Sequence, residues 1–310
     1  ANDNDYNMNR IITSYVTDMS SLFSGTIENP NTFNKDISNW DTSNVTNMNS
    51  MFYRATDFNK DIGNWNTSKV INMSNMFRGI LGVDGEVDVP NIFNQDLSNW
   101  DVSAVTNMSG MFYITSEFNQ NIGNWITSSV EDMSYMFSNA IKFNIDINYD
   151  STNDYWNTSE VTNMSHMFQN ASVFDGNISS WDTSSVENMQ QMFYSASAFN
   201  QDLSDWNTPS VENMYGMFWG SIFNQPINTN GLKWNTSNVK NMASMFRGDI
   251  FNQDISNWDT SSVENMHAMF MDNSQFNQNI GNWNTSKITN MSGMFSHAYA
   301  FNYPLSNWNV

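Results

Sequence analysis

The sequence predicts an α/β repeat solenoid, a single right-handed coil of about eleven units of ~25 residues. Three observations predict it. Tryptophan recurs at 40, 65, 100, 125, 156, 181, 206, 234, 258, 283 and 308, 25 residues apart in most intervals, and only Trp219 stands elsewhere. All 22 phenylalanines fall into two slots, one directly after Met (or Leu22) and one usually before Asn. Of 23 methionines, 21 occupy the two Met positions of the pattern Val-x-Asn-Met-x-x-Met-Phe. A cross-section repeated this faithfully is buried by stacking, because a unit so short cannot close a core alone.

The elements follow from one unit, Phe58 to Phe77. Ile62 and Thr67 favour a pleated surface, so a short strand is expected over 61–67. Val70, Met73, Met76 and Phe77 are spaced by three, three and one, which predicts the buried face of one helical turn. Asn72 and Ser74 stand where caps and turns are favoured. Phe52, Phe58, Ile62, Trp65, Val70, Met73, Met76 and Phe77 are the expected structural core. Stacked strands about 4.8 Å apart would give a rod of roughly 50 Å. Asn follows the second Phe from Asn34 to Asn302, with Asp175 the one exception, and an Asx residue precedes each first Met. Such rows can bond from rung to rung or satisfy turn backbones.

Residues 1–10 read as an N-terminal extension and 11–310 as one solenoid. The first unit, 11–39, is degraded: Ile11 takes the Trp slot and Leu22 a Met slot. Insertions are expected near 79–92, 148–153 and 228–231, and a half-unit at 301–310 ends at Trp308-Asn309-Val310 without a recognisable cap.

Composition narrows the function. With 11 Lys and Arg against 31 Asp and Glu the net charge is −20, which argues against nucleic acid and anionic membrane surfaces. Aromatic residues at 15% exclude a disordered chain. Cysteine is absent, so neither disulfides nor thiolate chemistry are available. No apolar run approaches the roughly 20 residues of a membrane span, so direct membrane insertion is not expected.

The stretch Phe-Asn-Gln-Asp-Ile-Ser-Asn-Trp-Asp-Thr-Ser-Ser-Val-Glu-Asn-Met, Phe251 to Met266, carries a family likeness. With its fellow units it resembles the ~25-residue repeats of mycoplasma lipoproteins and bacterial surface proteins, and is similar to BspA-like leucine-rich repeats. The resemblance covers residues 11–310. It implies a leucine-rich-repeat-like solenoid on a secreted or surface-anchored protein, associated with attachment and host or cell contact, and no shared catalytic residues.

Four constellations remain. His166, His267 and His297 read as surface residues, and the first two are four units apart, too far to share a metal. Asp36, Asp61 and Asp96 share a slot whose stacked carboxylates could collect calcium, but Asn and Pro stand in the same slot of other units, which favours Asx turns. No other cofactor is expected. The Thr row after Trp (Thr42, Thr67, Thr127 and onward) could match a crystalline surface such as ice or mineral, although Thr is also simply a good strand residue and Val102 interrupts the row. Last, Tyr53, Tyr113, Tyr194, Trp219 and Arg247 follow Met-Phe, and Tyr215 stands between the paired methionines; these are interface residue types, expected along one ridge. The expected function is non-enzymatic recognition at the cell surface or outside the cell, with a protein or surface glycan as ligand. The alternative is a subunit of an extracellular filament, sheath or surface layer built from copies of itself.

Overall fold

The computed structural model describes every residue except 1–7, 27, 81, 83–87, 229–232 and 310. Most of the N-terminal extension, the centre of the 79–92 insertion and most of the insertion at 228–231 thus lie outside the described residues.

The chain coils through repeated turns joined by single-residue parallel bridges. Each Asx before the first Met bridges its counterpart one unit on: Asp18 to Asn47, Asn47 to Asn72, and so along the chain to Asn265 and Asn290. Around each bridge alternate amides donate outward in register. Met48 N–H reaches Asn72 O at 2.9 Å, Ser50 reaches Ser74 at 2.9 Å, Phe52 reaches Met76 at 2.9 Å and Arg54 reaches Arg78 at 2.7 Å. The intervening amides close tight turns within the unit, as Met51 N–H to Met48 O (3.1 Å) and Tyr53 N–H to Ser50 O (3.0 Å).

Two expectations are corrected here. Val70 to Phe77 is no helical turn; among the described residues the one helical segment is a 3₁₀ turn at Met8–Arg10. The parallel contact lies within this stretch, at Asn72, and not along 61–67, where Trp65 N–H to Ile62 O and Val70 N–H to Thr67 O make turns instead. The cause is a left-handed residue placed twice in most units, such as Ser50 (φ 56) and Arg54 (φ 59), or Tyr135 (φ 58) and Asn139 (φ 57). Each resets the chain after a right-handed step. Inward side chains keep a helix-like spacing while alternate amides turn toward the neighbouring unit.

Inside, each slot forms a ladder. Phe52, Phe58, Ile62, Trp65, Val70, Met73, Met76 and Phe77 are all buried. Within a unit the two Phe rings stack closely, Phe52 on Phe58 at 3.9 Å and Phe137 on Phe143 at 4.0 Å. Between units Phe52 lies 5.6 Å from Phe77, and Trp65 lies 6.5 Å from Trp40 and 6.4 Å from Trp100. Every indole N–H of this ladder finds a carbonyl of the preceding unit, Trp65 donating to Ile37 and Trp206 to Ile178. This answers the usual cost of burying an indole nitrogen.

The two Asx rows do different work. The residue before the first Met makes a local Asx turn, Ser74 N–H to Asn72 Oδ1 at 2.9 Å. The Asn after the second Phe forms a true ladder: Asn94 N–H donates to Asn59 Oδ1 at 3.0 Å, and Asn119 N–H to Asn94 Oδ1 at 3.0 Å. Only an acceptor oxygen is required, which is why Asp175 fits, receiving Asn200 N–H at 2.9 Å.

The threonine row faces inward, so it presents no array to a crystalline surface. Thr42, Thr67, Thr127 and Thr183 are buried, and each hydroxyl donates to a carbonyl of the following unit, Thr67 to Asp101 O at 2.9 Å. Val102, of nearly the same shape, fills the slot without that bond.

Insertions leave the ladders intact. Ile80 and Val89 pair antiparallel at the neck of one, and Tyr155 pairs with Ile126 and Asp150 at another. At the N-terminal side Ile11 is 48% exposed and does not replace a Trp; Met8 packs on the core and accepts Trp40 Nε1–H instead.

Candidate functional site

The slot after Met-Phe, the left-handed slot next to it and the positions between the methionines open onto one edge of the coil. Their side chains interlock in two groups.

In the first, two guanidinium groups approach Tyr53, with Arg54 Cζ 4.6 Å and Arg78 Cζ 5.7 Å from its ring centre. Arg78 also covers Tyr113 at 4.5 Å, and Tyr113 meets Tyr135 edge-on at 5.8 Å. Tyr135 stacks on His166 at 4.3 Å. In the second, Trp219 is the hub. Tyr194 and Tyr215 meet it edge-on at 5.1 and 6.4 Å, and Arg247 lies over its face at 4.5 Å. Arg247 Nε is 3.9 Å from Asp272, whose other oxygen is 2.7 Å from His297 Nδ1.

The six ridge residues thus fall into Tyr53 with Tyr113, joined through Arg78, and Tyr194, Tyr215, Trp219 and Arg247 in one knot. Tyr113 is only 6% exposed and the other five are half-buried, so the ridge is flatter than a row of free aromatics. Arg54, Asp272 and His297 also belong to it. All three occupy the second left-handed slot, which Gly220, Gly248 and Asn170 occupy elsewhere; that alternation with Gly and Asn marks the slot in the sequence.

His166 is buried, not a surface residue. Its Nδ1–H donates to Gln169 Oε1 at 2.9 Å, and its Nε2 accepts from Gln190 Nε2 at 3.2 Å. Gln190 in turn accepts Asn213 Nδ2–H at 3.0 Å, which sets its amide orientation. The groups against His166 are therefore Tyr135, Gln169 and Gln190. Burial holds its pKa below the ordinary 6.5, against the opposing Gln169 bond. The unfolded chain binds this proton more readily, so stability is expected to fall as pH drops through 6.5 toward the folded value. Urea midpoints at neutral and mildly acid pH check this: wild type should lose more than His166→Gln, and equal losses would refute it.

Exposed His267 Nδ1 lies 2.7 Å from Ser292 Oγ, which is also 2.8 Å from Asn290 Oδ1. Asp36, Asp61 and Asp96 each accept the amide two residues on, from Ser38, Gly63 and Ser98 at 2.9, 2.9 and 2.8 Å. Those bonds lower the pKa of Asp36 and Asp96. Among the described residues no three His, Cys, Asp or Glu converge as a metal-binding group. Nor is any helix there long and apolar enough to cross a membrane.

No curated protein matches the chain. Among solved structures it is similar to the crystal structure of an internalin (inlF) from Listeria monocytogenes, with 9% identity over 84% of this chain and 70% of that one and a TM-score of 0.22. The family model described as "Mycoplasma protein of unknown function, DUF285" matches four overlapping stretches, 1–88, 83–155, 149–232 and 223–310, so the chain belongs to that family along its whole length.

Proposed function

We propose that this chain is a non-enzymatic recognition module of a cell-surface or secreted protein, akin to BspA-like repeat proteins, that engages a protein or surface glycan along its aromatic edge. One observation carries the reading: Tyr194, Tyr215, Trp219 and Arg247 form a half-buried knot outside the core ladders. Packing does not require Trp219; the same slot is filled by Ser138 and Ser296 in other units. Large aromatics and Arg held rigid at a surface are the residue types that dominate binding energy.

Retention of the purified chain on arrays of cell-surface glycans and matrix proteins tests this, comparing wild type with Trp219→Ala. A bound ligand should be lost about tenfold or more in affinity with the circular dichroism unchanged. Retention indifferent to Trp219→Ala would sink the ridge. Rods that join end to end over a concentration series, with no array ligand, would favour the assembly subunit instead.

A further inference from the structure

We propose that Arg54 and Arg78 form a subsite for the carboxylates of an acidic, extended peptide segment in which Asp or Glu alternates with other residues. The inference rests on the recognition reading above and names the chemistry of one partner.

Cations are scarce here, 11 against 31 acidic residues, yet among the described residues these two pair with no carboxylate. Among the described residues the ion pairs are Lys142–Glu117, Lys240–Glu212, Arg247–Asp272 and His297–Asp272. Arg54 and Arg78 enter none. Their Nε atoms are covered by protein and have no acceptor, so part of each guanidinium's hydration has been surrendered without return. Arg78 makes one side-chain bond, Nη1–H to Asn75 Oδ1 at 3.1 Å. The outer nitrogens of both groups are where an anion would approach.

Both groups are also held in place. Each lies over tyrosine, and Arg54 N–H donates to Arg78 O at 2.7 Å, which sets the two residues on adjacent units. Stacking of this kind removes rotamer freedom before a ligand arrives, leaving forks suited to carboxylate oxygens.

Spacing selects the carrier. Arg54 and Arg78 lie on adjacent units within 4.6 and 5.7 Å of one ring centre, so their guanidinium groups are at most about 10 Å apart. Alternate residues of an extended peptide repeat at about 6.6–6.8 Å on one face, within that reach, so one carboxylate can meet each guanidinium when the peptide runs along the coil. An acidic sugar fits less well. Arg54 and Arg78 both lie against the Tyr53 ring, and Tyr113 is buried, so little open ring is left for a sugar to stack on.

The probe is a fluorescein-labelled peptide alternating Glu and Ser, with a Gln–Ser peptide and a sialylated trisaccharide as comparisons, read by anisotropy on the full chain. The Glu peptide should bind, more weakly as salt rises, and the Gln peptide should not. Arg54→Ala and Arg78→Ala should each weaken binding about tenfold, and the Lys substitutions should restore little because they lack the fork. Lys60→Ala with Lys69→Ala, which removes the two lysines between them in sequence, should change affinity less than about twofold. Circular dichroism identical to wild type qualifies each variant. Equal binding of the Gln peptide, equal loss in the lysine variant, or binding of the sugar alone overturns the proposal. No peptide binding, with Trp219-dependent retention on the arrays intact, removes the acidic-peptide chemistry and leaves the recognition reading standing.

Discussion

Replacing Trp206 by Ala is expected to destabilise the solenoid by about 3–5 kcal/mol, the range for emptying a large core site. The ring is fully buried, lies 6.3 Å from Trp181 and 6.4 Å from Trp234, and its N–H satisfies Ile178 O at 3.1 Å. The substitution opens a cavity in the middle of a column and removes one of the two bonds to Ile178 O, which keeps Trp181 N–H at 3.3 Å. Because a repeat protein is held by nearest-neighbour contacts, the loss concentrates at this junction. Urea unfolding followed by circular dichroism should show a lower midpoint and a transition broadening into two. Trp206→Phe keeps a stacked ring and should cost less, about 0.5–1.5 kcal/mol for the lost hydrogen bond. An unchanged midpoint in the Ala variant would mean the ladders do not carry the fold.

Asp249→Asn is expected to stabilise the protein at neutral pH, by about 1–3 kcal/mol. Asp249 is 3% exposed in a slot that is Ala in five units, and no cation pairs with it among the described residues. Its partners are Ser221 Oγ–H at 3.1 Å and Ile250 N–H at 2.6 Å. Burial pushes its pKa well above 3.8, more than those two bonds lower it. The unfolded chain therefore releases this proton at lower pH than the folded one. Stability falls as pH rises from 3.8 toward the folded value and stays reduced beyond it. Asn keeps an acceptor for Ser221 and carries no charge, so its advantage should appear at neutral pH and disappear in acid. Urea midpoints across that range decide; a variant equal to or weaker than wild type at neutral pH would refute the account.

Much of this architecture was legible from side chains alone. Trp65, Phe77 and Ile62 recur because a stacked core leaves one environment per slot, so each residue reports its own burial. The backbone was harder. Val70, Met73 and Met76 have the spacing of a helix, and successive turns interrupted by left-handed residues present the same three inward. The distinguishing trace was Gly110, Gly216 and Gly293 between the paired methionines, where φ is positive. The threonines misled for another reason: a hydroxyl was read as outward-facing, whereas Thr67 is buried because Asp101 O accepts it. The edge was legible only in part. Tyr194, Trp219 and Arg247 announce themselves by type, but Arg54 joins the edge through a left-handed slot that shows only when units are compared, by the Gly and Asn standing there in others.

Each unit repeats the same donors and acceptors on each of its two faces, which bears on how such a chain changes length over generations. Excising Asp182 to Trp206 would bring Trp181 directly before Asn207 and Thr208, recreating the Trp-Asx-Thr junction found in other units. Unequal crossing-over within the gene would then add or drop whole units with every rung still matched. The edge residues, which differ from unit to unit, would be reshuffled by the same events, so variation in copy number and variation in what is displayed would arise together.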